Sequence, residues 1–285
     1  MLPFGDRDMD GRSNDVIDRL TVAAIAALAY VLTAFFHEGV GHGGMCLAVG
    51  GHPSAWGAYY FDCDTRGLPA SRFRLVAAAG STVDLILCGV FAALFAQRVA
   101  APGPKGAWTL FLWIVTAVNG LTWAGYFMFS GLADIGDWST AADGVLGGGL
   151  SPGVVISARI AMVVGGVLAY LALSLGAGRM LARLVGGGRA DRARRVAFTT
   201  YIAGGVTAVL ISLANPIGLV ITILSAAASS LGGTAGLFWT VRMMPKSTVA
   251  ADWSLPRSWP WIAVGGVAVA VYAVVWGPSL RFAHA

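Results

Sequence analysis

Apolar residues run along this chain in long unbroken stretches, near 19–36, 73–97, 107–128, 153–177, 196–214, 216–241 and 259–277. None shows the period-two alternation of barrel strands. Their lengths lie near or above the roughly 20 residues that carry a helix across the hydrocarbon. Only helices or a closed barrel satisfy their backbone there. The pattern therefore predicts an all-α polytopic membrane bundle of six to seven transmembrane helices, organised as a single integral membrane domain over residues 1–285. Asn215-Pro216 either separates the fifth stretch from the sixth or kinks one broken helix. The first stretch turns apolar again at Met45–Val49, so its helix can continue through Val49, which leaves the depth of His37 open.

Composition strengthens this reading. Of 285 residues, 57% are hydrophobic and 12% charged, against about 25% charged in soluble domains; the mean hydropathy is +0.73. Residues 1–18 are rich in aspartate and lack a small-residue cleavage pattern, so they read as a cytoplasmic tail before a retained first span. The densest basic segment, 178–195, holds Arg179, Arg183, Arg189, Arg192, Arg194 and Arg195 and is expected to be a cytoplasmic loop. Seven spans then put Arg7, Arg12, Arg19, Arg98, Lys105, Arg242, Lys246 and Arg257 on the same side. Arg66, Arg72, Arg74 and Arg281 fall opposite, with Arg159 just inside the fourth span. The expectation is an integral protein of a bacterial-type plasma membrane with its N-terminus inside. Membrane topology accounts for the net charge of +5 without nucleic acid.

The first stretch closes on FFHEGVGHGG, Phe35 to Gly44, where two histidines flank a glutamate at lipid depth. The segment GLADIGDWSTAAD, Gly131 to Asp143, follows the third stretch toward the same end. Its acids can therefore meet those histidines. His37, Glu38 and His42 form H-E-x-x-x-H. Zinc proteases usually show H-E-x-x-H, with both histidines on one helix face and the glutamate as general base. A spacing of five leaves two rings about 140° apart on a regular helix. Gly39, Gly41, Gly43 and Gly44 soften this segment, and one π turn returns residues five apart to a common face. A bulge near Gly41 is expected.

Catalytic zinc takes three protein ligands and leaves one position for water. His37 and His42 supply two, and Glu38 is better placed as the base. Asp137 is the leading third ligand, with Asp134 as the reserve or as a partner that orients a ligating histidine. Ser139 and Thr140 are expected to begin a short helix after Asp137. Asp84, in GSTVDLIL, is a further intramembrane acid suited to orienting substrate or a ligand, or to a polar contact between helices.

With these residues in view, the chain resembles the intramembrane zinc metalloproteases of the site-2 protease class. His37-Glu38-His42 matches the zinc helix of that class, apart from one extra residue; the H-E-x-x-G-H form is also similar to the dipeptidyl peptidase III family. Ala79-Gly80-Ser81-Thr82-Val83-Asp84 resembles the small-residue second element, with Asp84 where an asparagine stands in the class. Gly136-Asp137-Trp138 is a loose match to the aspartate motif. The resemblance covers roughly the first half of the chain and implies peptide hydrolysis in or near transmembrane segments.

Other features read as ordinary. His52 is expected in a loop and His284 in solvent. Cys46, Cys63 and Cys88 lack C-x-x-C spacing; Cys46 and Cys63 share one side, and whether they pair is left open, while Cys88 is apolar filling. Gly232 and Gly236 suit close helix contact, and Gly144–Gly149 a flexible connection. Trp253, Trp259, Trp261 and Trp276 read as an interfacial belt.

The expected function is a membrane-embedded zinc metalloendopeptidase with Glu38 as general base. Its partners are the lipid bilayer and a membrane-protein or peptide substrate. Gly43–Gly51 and Gly144–Gly149 would flank the substrate's path. The alternatives are a transporter or channel using Glu, His and Asp as an ion or proton relay, and a zinc-binding relative without catalysis.

Overall fold

The computed structural model describes residues 17–140, 144–186, 189–245 and 253–282. Among these residues, six helices are long and apolar enough to cross a membrane. They are α1 (Arg19–Ala48), α2 (Ala70–Ala100), α3 (Ala107–Ala133), α4 (Pro152–Val185), α5 (Ala190–Ser212) and α6 (Leu219–Thr240). A shorter apolar helix, α7 (Trp259–Val275), follows. A three-stranded antiparallel sheet is built from β1 (His52–Gly57), β2 (Tyr60–Asp64) and β3 (Leu280–Arg281), in the order β2-β1-β3.

The helices alternate in direction. Helices α1 and α5 run parallel: Tyr30 fills the space beside Gly204, and Arg19 shares a groove with Arg194. Helix α7 runs with them, since Arg257 pairs with Asp18 at 3.0 Å and Gly265 lies against Ala24. Helix α3 is the centre post. Trp113, Leu110, Ile114 and Leu121 are fully enclosed in the main core, Asn119 Nδ2 donates to Thr33 Oγ1 on α1 at 2.9 Å, and Trp113 Nε1 donates to the Ala177 carbonyl on α4. Asp18 starts α1 as its N-cap, accepting from the Thr21 amide at 2.8 Å; such a cap satisfies an amide the helix leaves unpaired.

Several expectations change here. The basic segment 178–195 is largely helical: α4 continues to Val185 and α5 begins at Ala190. Hydropathy marks the hydrocarbon, and both helices extend past it on their arginines. Asn215-Pro216 lies in the turn between α5 and α6, so no helix is broken there. The close contact within LGGTAGLF is made by Gly233, against Gly125, and by Gly236, against Ser174 and Leu121, while Gly232 faces open space. Trp253 is buried, and its carbonyl accepts from Arg192, so it belongs to the core and not to a belt. His52 opens strand β1 instead of lying in a loop. His284 and Lys246 lie outside the described residues.

Candidate functional site

The end of α1 departs from α-helical geometry where the glycines suggest. Phe36–Gly43 is a π turn, which brings residues five apart onto one face. His37, Glu38 and His42 are all buried on it. The two Nε2 atoms are 3.2 Å apart, and the ligand atoms of the three residues all lie within 4.8 Å of one another. This group could hold a metal ion.

Helix α2 fixes both rings from behind. His42 Nδ1 donates to the Val76 carbonyl at 2.7 Å; a carbonyl only accepts, so the hydrogen is on Nδ1 and Nε2 presents a lone pair. His37 Nδ1 donates to Asp84 Oδ2 at 2.8 Å, which sets the same tautomer. Hydrogen bonds of this kind orient metal-ligating histidines in general. Asp84 is fully buried, and its position behind His37 makes it an orienting group rather than one facing the cavity.

The close approach of α2 depends on two glycines. A Cβ on Gly41 would lie 2.6 Å from the Gly80 Cα. A Cβ on Gly80 would lie 2.4 Å from His42 Nε2 and 2.6 Å from His37 Nε2. The space between the two imidazoles is therefore one that any side chain at position 80 would fill.

The loop after α3 brings a third group. Asp137 Oδ2 lies 3.6 Å from His37 Nε2, and Asp137 Oδ1 lies 3.6 Å from His42 Nε2. Its Oδ2 is buried without a hydrogen-bond partner. Three electron-rich atoms thus converge, with both hydrogens of the neutral imidazoles turned away. Such an arrangement is repulsive unless a cation or a proton lies among them.

Asp134 plays a different part. It caps α3 in the left-handed region at φ 56°. Its carboxylate accepts from the Thr140 amide at 2.7 Å and the Thr140 hydroxyl at 2.8 Å, 3.9 Å from Arg159. The Thr140 amide holds this carboxyl below its ordinary pKa. Arg159 also donates to the Gly131 and Leu132 carbonyls. Asp134 therefore clasps the loop that carries Asp137 and is not brought to the histidines. Trp138 Nε1 adds a tie to Ser81 on α2 at 2.8 Å. The short helix expected from Ser139 would run over residues 141–143, which lie outside the described residues.

Two features escaped sequence reasoning. Tyr126 of α3 stacks on His37, ring centroids 5.0 Å apart and 16° from parallel; its distance along the chain hides it, and only packing reveals it. The second is the hairpin β1–β2, which helps to wall a cavity of about 680 Å³. His37, Glu38, His42, Asp137 and Tyr126 line that cavity, with Phe61 from β2 and Ser225 from α6. A disulfide joins Cys46 to Cys63, tying the end of α1 to β2. The apolar–polar alternation Phe61-Asp62-Cys63-Asp64 was the available signal for the strand. Glu38 makes no side-chain hydrogen bond among the described residues and borders the cavity beside the two rings.

No family model, curated protein or solved structure matches the chain, so its function is argued from the site.

Proposed function

We propose that the protein is a membrane-embedded zinc metalloendopeptidase that hydrolyses peptide bonds in or near transmembrane segments, with His37, His42 and Asp137 as ligands and Glu38 as general base. The observation that carries this reading is the convergence of two imidazole lone pairs, 3.2 Å apart, with the Asp137 carboxylate, whose Oδ2 lies 3.6 Å from His37 Nε2 and whose Oδ1 lies 3.6 Å from His42 Nε2. Zinc bonds of about 2.0–2.2 Å to nitrogen and oxygen set tetrahedral ligand separations of about 3.4 Å. The donor set fits. Two nitrogens and one oxygen also leave a fourth position, as catalytic zinc requires.

When bound, zinc lowers the pKa of a water to about 7 and polarises a carbonyl. The protein's own groups do the rest. Glu38, adjacent in sequence to a ligand and without a side-chain hydrogen bond among the described residues, takes the proton of the attacking water and returns it to the departing amine nitrogen. Asp84 and the Val76 carbonyl keep both imidazoles aimed at one point, so no reorganisation is needed during the reaction. The cavity between the hairpin and α6 is large enough for an extended stretch of a few residues. A substrate helix must unwind to enter it, because helical carbonyls are already bonded.

The test is zinc content together with cleavage, on full-length protein in detergent micelles with casein as an unfolded substrate. Wild type is expected to hold one zinc per chain and to cleave. His42→Ala and Asp137→Ala are expected to lose the metal. Glu38→Gln is expected to keep it and to lose about 10²–10⁴ in rate. Wild-type protein without zinc would remove the proposal. A Glu38→Gln variant that cleaves normally would remove the base.

A further inference from the structure

At the opposite end of α1 from the metal centre, a groove of about 510 Å³ opens between α1 and α5. Arg19, Arg194 and Arg195 stand at its mouth, and Phe198, Ile202 and Ala203 form its wall. Residues 194, 195, 198, 199, 202 and 203 follow helical spacing and make a single face of α5. From Arg194 to Ile202 that face extends about 12 Å along the axis. The groove is thus cationic at one end and mostly apolar over the rest, where Thr199 adds a hydroxyl.

None of the three arginines has a hydrogen bond or an ion pair among the described residues. Among the described residues, the nearest acids are otherwise engaged or apart. Asp18 accepts from Thr21 and Arg257, and Asp191, one turn before Arg194 on α5, forms no ion pair with it or with Arg195. Phe198 and Ile202 remain about half exposed, at 51% and 40%. Unpaired guanidiniums at the end of a span, continuous with an exposed apolar groove, have a charge and a shape that one kind of occupant satisfies at both ends.

We propose that this groove binds one anionic phospholipid, its phosphate held by Arg19, Arg194 and Arg195 and one acyl chain laid along Phe198 and Ile202. Guanidinium forks match phosphate oxygens in geometry, and basic pockets between transmembrane helices suit anionic headgroups. From Phe198 to Ala203 the wall runs about 7.5 Å along the axis, enough for the headgroup-proximal half of an acyl chain within one leaflet's share, about 15 Å, of the hydrocarbon. Free phosphate would satisfy the arginines and leave the apolar wall without a partner.

Native mass spectrometry of the full chain, released from micelles holding equal phosphatidylglycerol and phosphatidylcholine, tests this. One phosphatidylglycerol is expected to stay bound after phosphatidylcholine is stripped, and a large excess of inorganic phosphate is expected not to displace it. The double variant Arg194→Gln/Arg195→Gln should reduce retention at least tenfold, whereas Arg66→Gln, on the far side of the molecule, should not change it. Ile202→Trp fills the groove and keeps every charge; the same loss is expected from it, which guards against misfolding of the double variant. Equal retention of both lipids, displacement by phosphate, or unchanged retention in Ile202→Trp would overturn the proposal. The readout involves neither zinc nor cleavage, so it stands apart from the metal centre.

Discussion

Gly80 faces the point where the two imidazoles meet, and a methyl group there would lie within 2.6 Å of both Nε2 atoms. Real carbon–nitrogen contacts do not come so close, so Gly80→Ala must displace the rings or α2. It is expected to abolish zinc binding, whereas Gly89→Ala on the same helix, with open space around it, should leave zinc content unchanged; plasma emission on both purified variants decides. Asp84 acts one bond further out. Replacing it with asparagine removes the charge that orients His37 and should weaken zinc affinity about 10–100-fold, measurable by competition with a chelator. At this scale the residue types were legible and their pairing was not. His37, Glu38 and His42 announce themselves by identity and spacing. That Asp84 would meet His37, and Val76 would meet His42, depends on how α2 leans on α1, which one sequence does not encode locally.

The elements around the site differ in how firmly they hold it. The π turn is legible from four glycines within six positions. The loop after α3 is held by Asp134 through its bonds to Thr140. Asp134→Asn tolerates the left-handed backbone and removes only the charge, at a cost of about 1–3 kcal/mol. The folded carboxyl lies below its ordinary value of 3.8. Its contribution is therefore complete at any pH well above 4 and disappears as pH falls through the lowered value. Thermal melts should show a constant gap between variant and wild type from pH 5 to 8 that closes under stronger acid. The hairpin depends on its disulfide. Cys46 and Cys63 are 17 residues apart, and closing a loop of that size contributes roughly 3 kcal/mol in the chain-entropy account. Reduction should raise deuterium uptake over residues 52–64 and leave that of 19–35 unchanged. The hairpin was missed because 52–64 lies between the apolar stretches and its short strands carry turn-forming Gly and Pro, which read as a loop.

For the whole molecule, hydropathy located every long helix among the described residues but misjudged its ends, because it reports lipid depth and not hydrogen bonding. Thus 153–177 became Pro152–Val185, and 196–214 became Ala190–Ser212, each lengthened over arginines. The alternation of helices gathers Arg19, Arg98, Lys105, Arg179, Arg183, Arg194, Arg195, Arg242 and Arg257 at one end of the bundle. Asp137, the hairpin and the Cys46–Cys63 disulfide lie toward the other. Two separate physical rules predict the same orientation, which labelling of single cysteines measures: basic residues favour the cytoplasmic side, and disulfides persist on the oxidising side. Sidedness can be read from single cysteines, because the natural ones are silent: Cys46 and Cys63 are bonded and Cys88 is buried. Arg66, whose side chain is 85% exposed, lies in the turn after β2, and Pro102 is exposed between α2 and α3. In right-side-out vesicles a membrane-impermeant maleimide should label Arg66→Cys directly and Pro102→Cys only after permeabilisation. The reverse pattern would put the disulfide in a reducing compartment. It would also make the cytoplasm, and not the far side, the source of water and metal for the cavity beside Glu38.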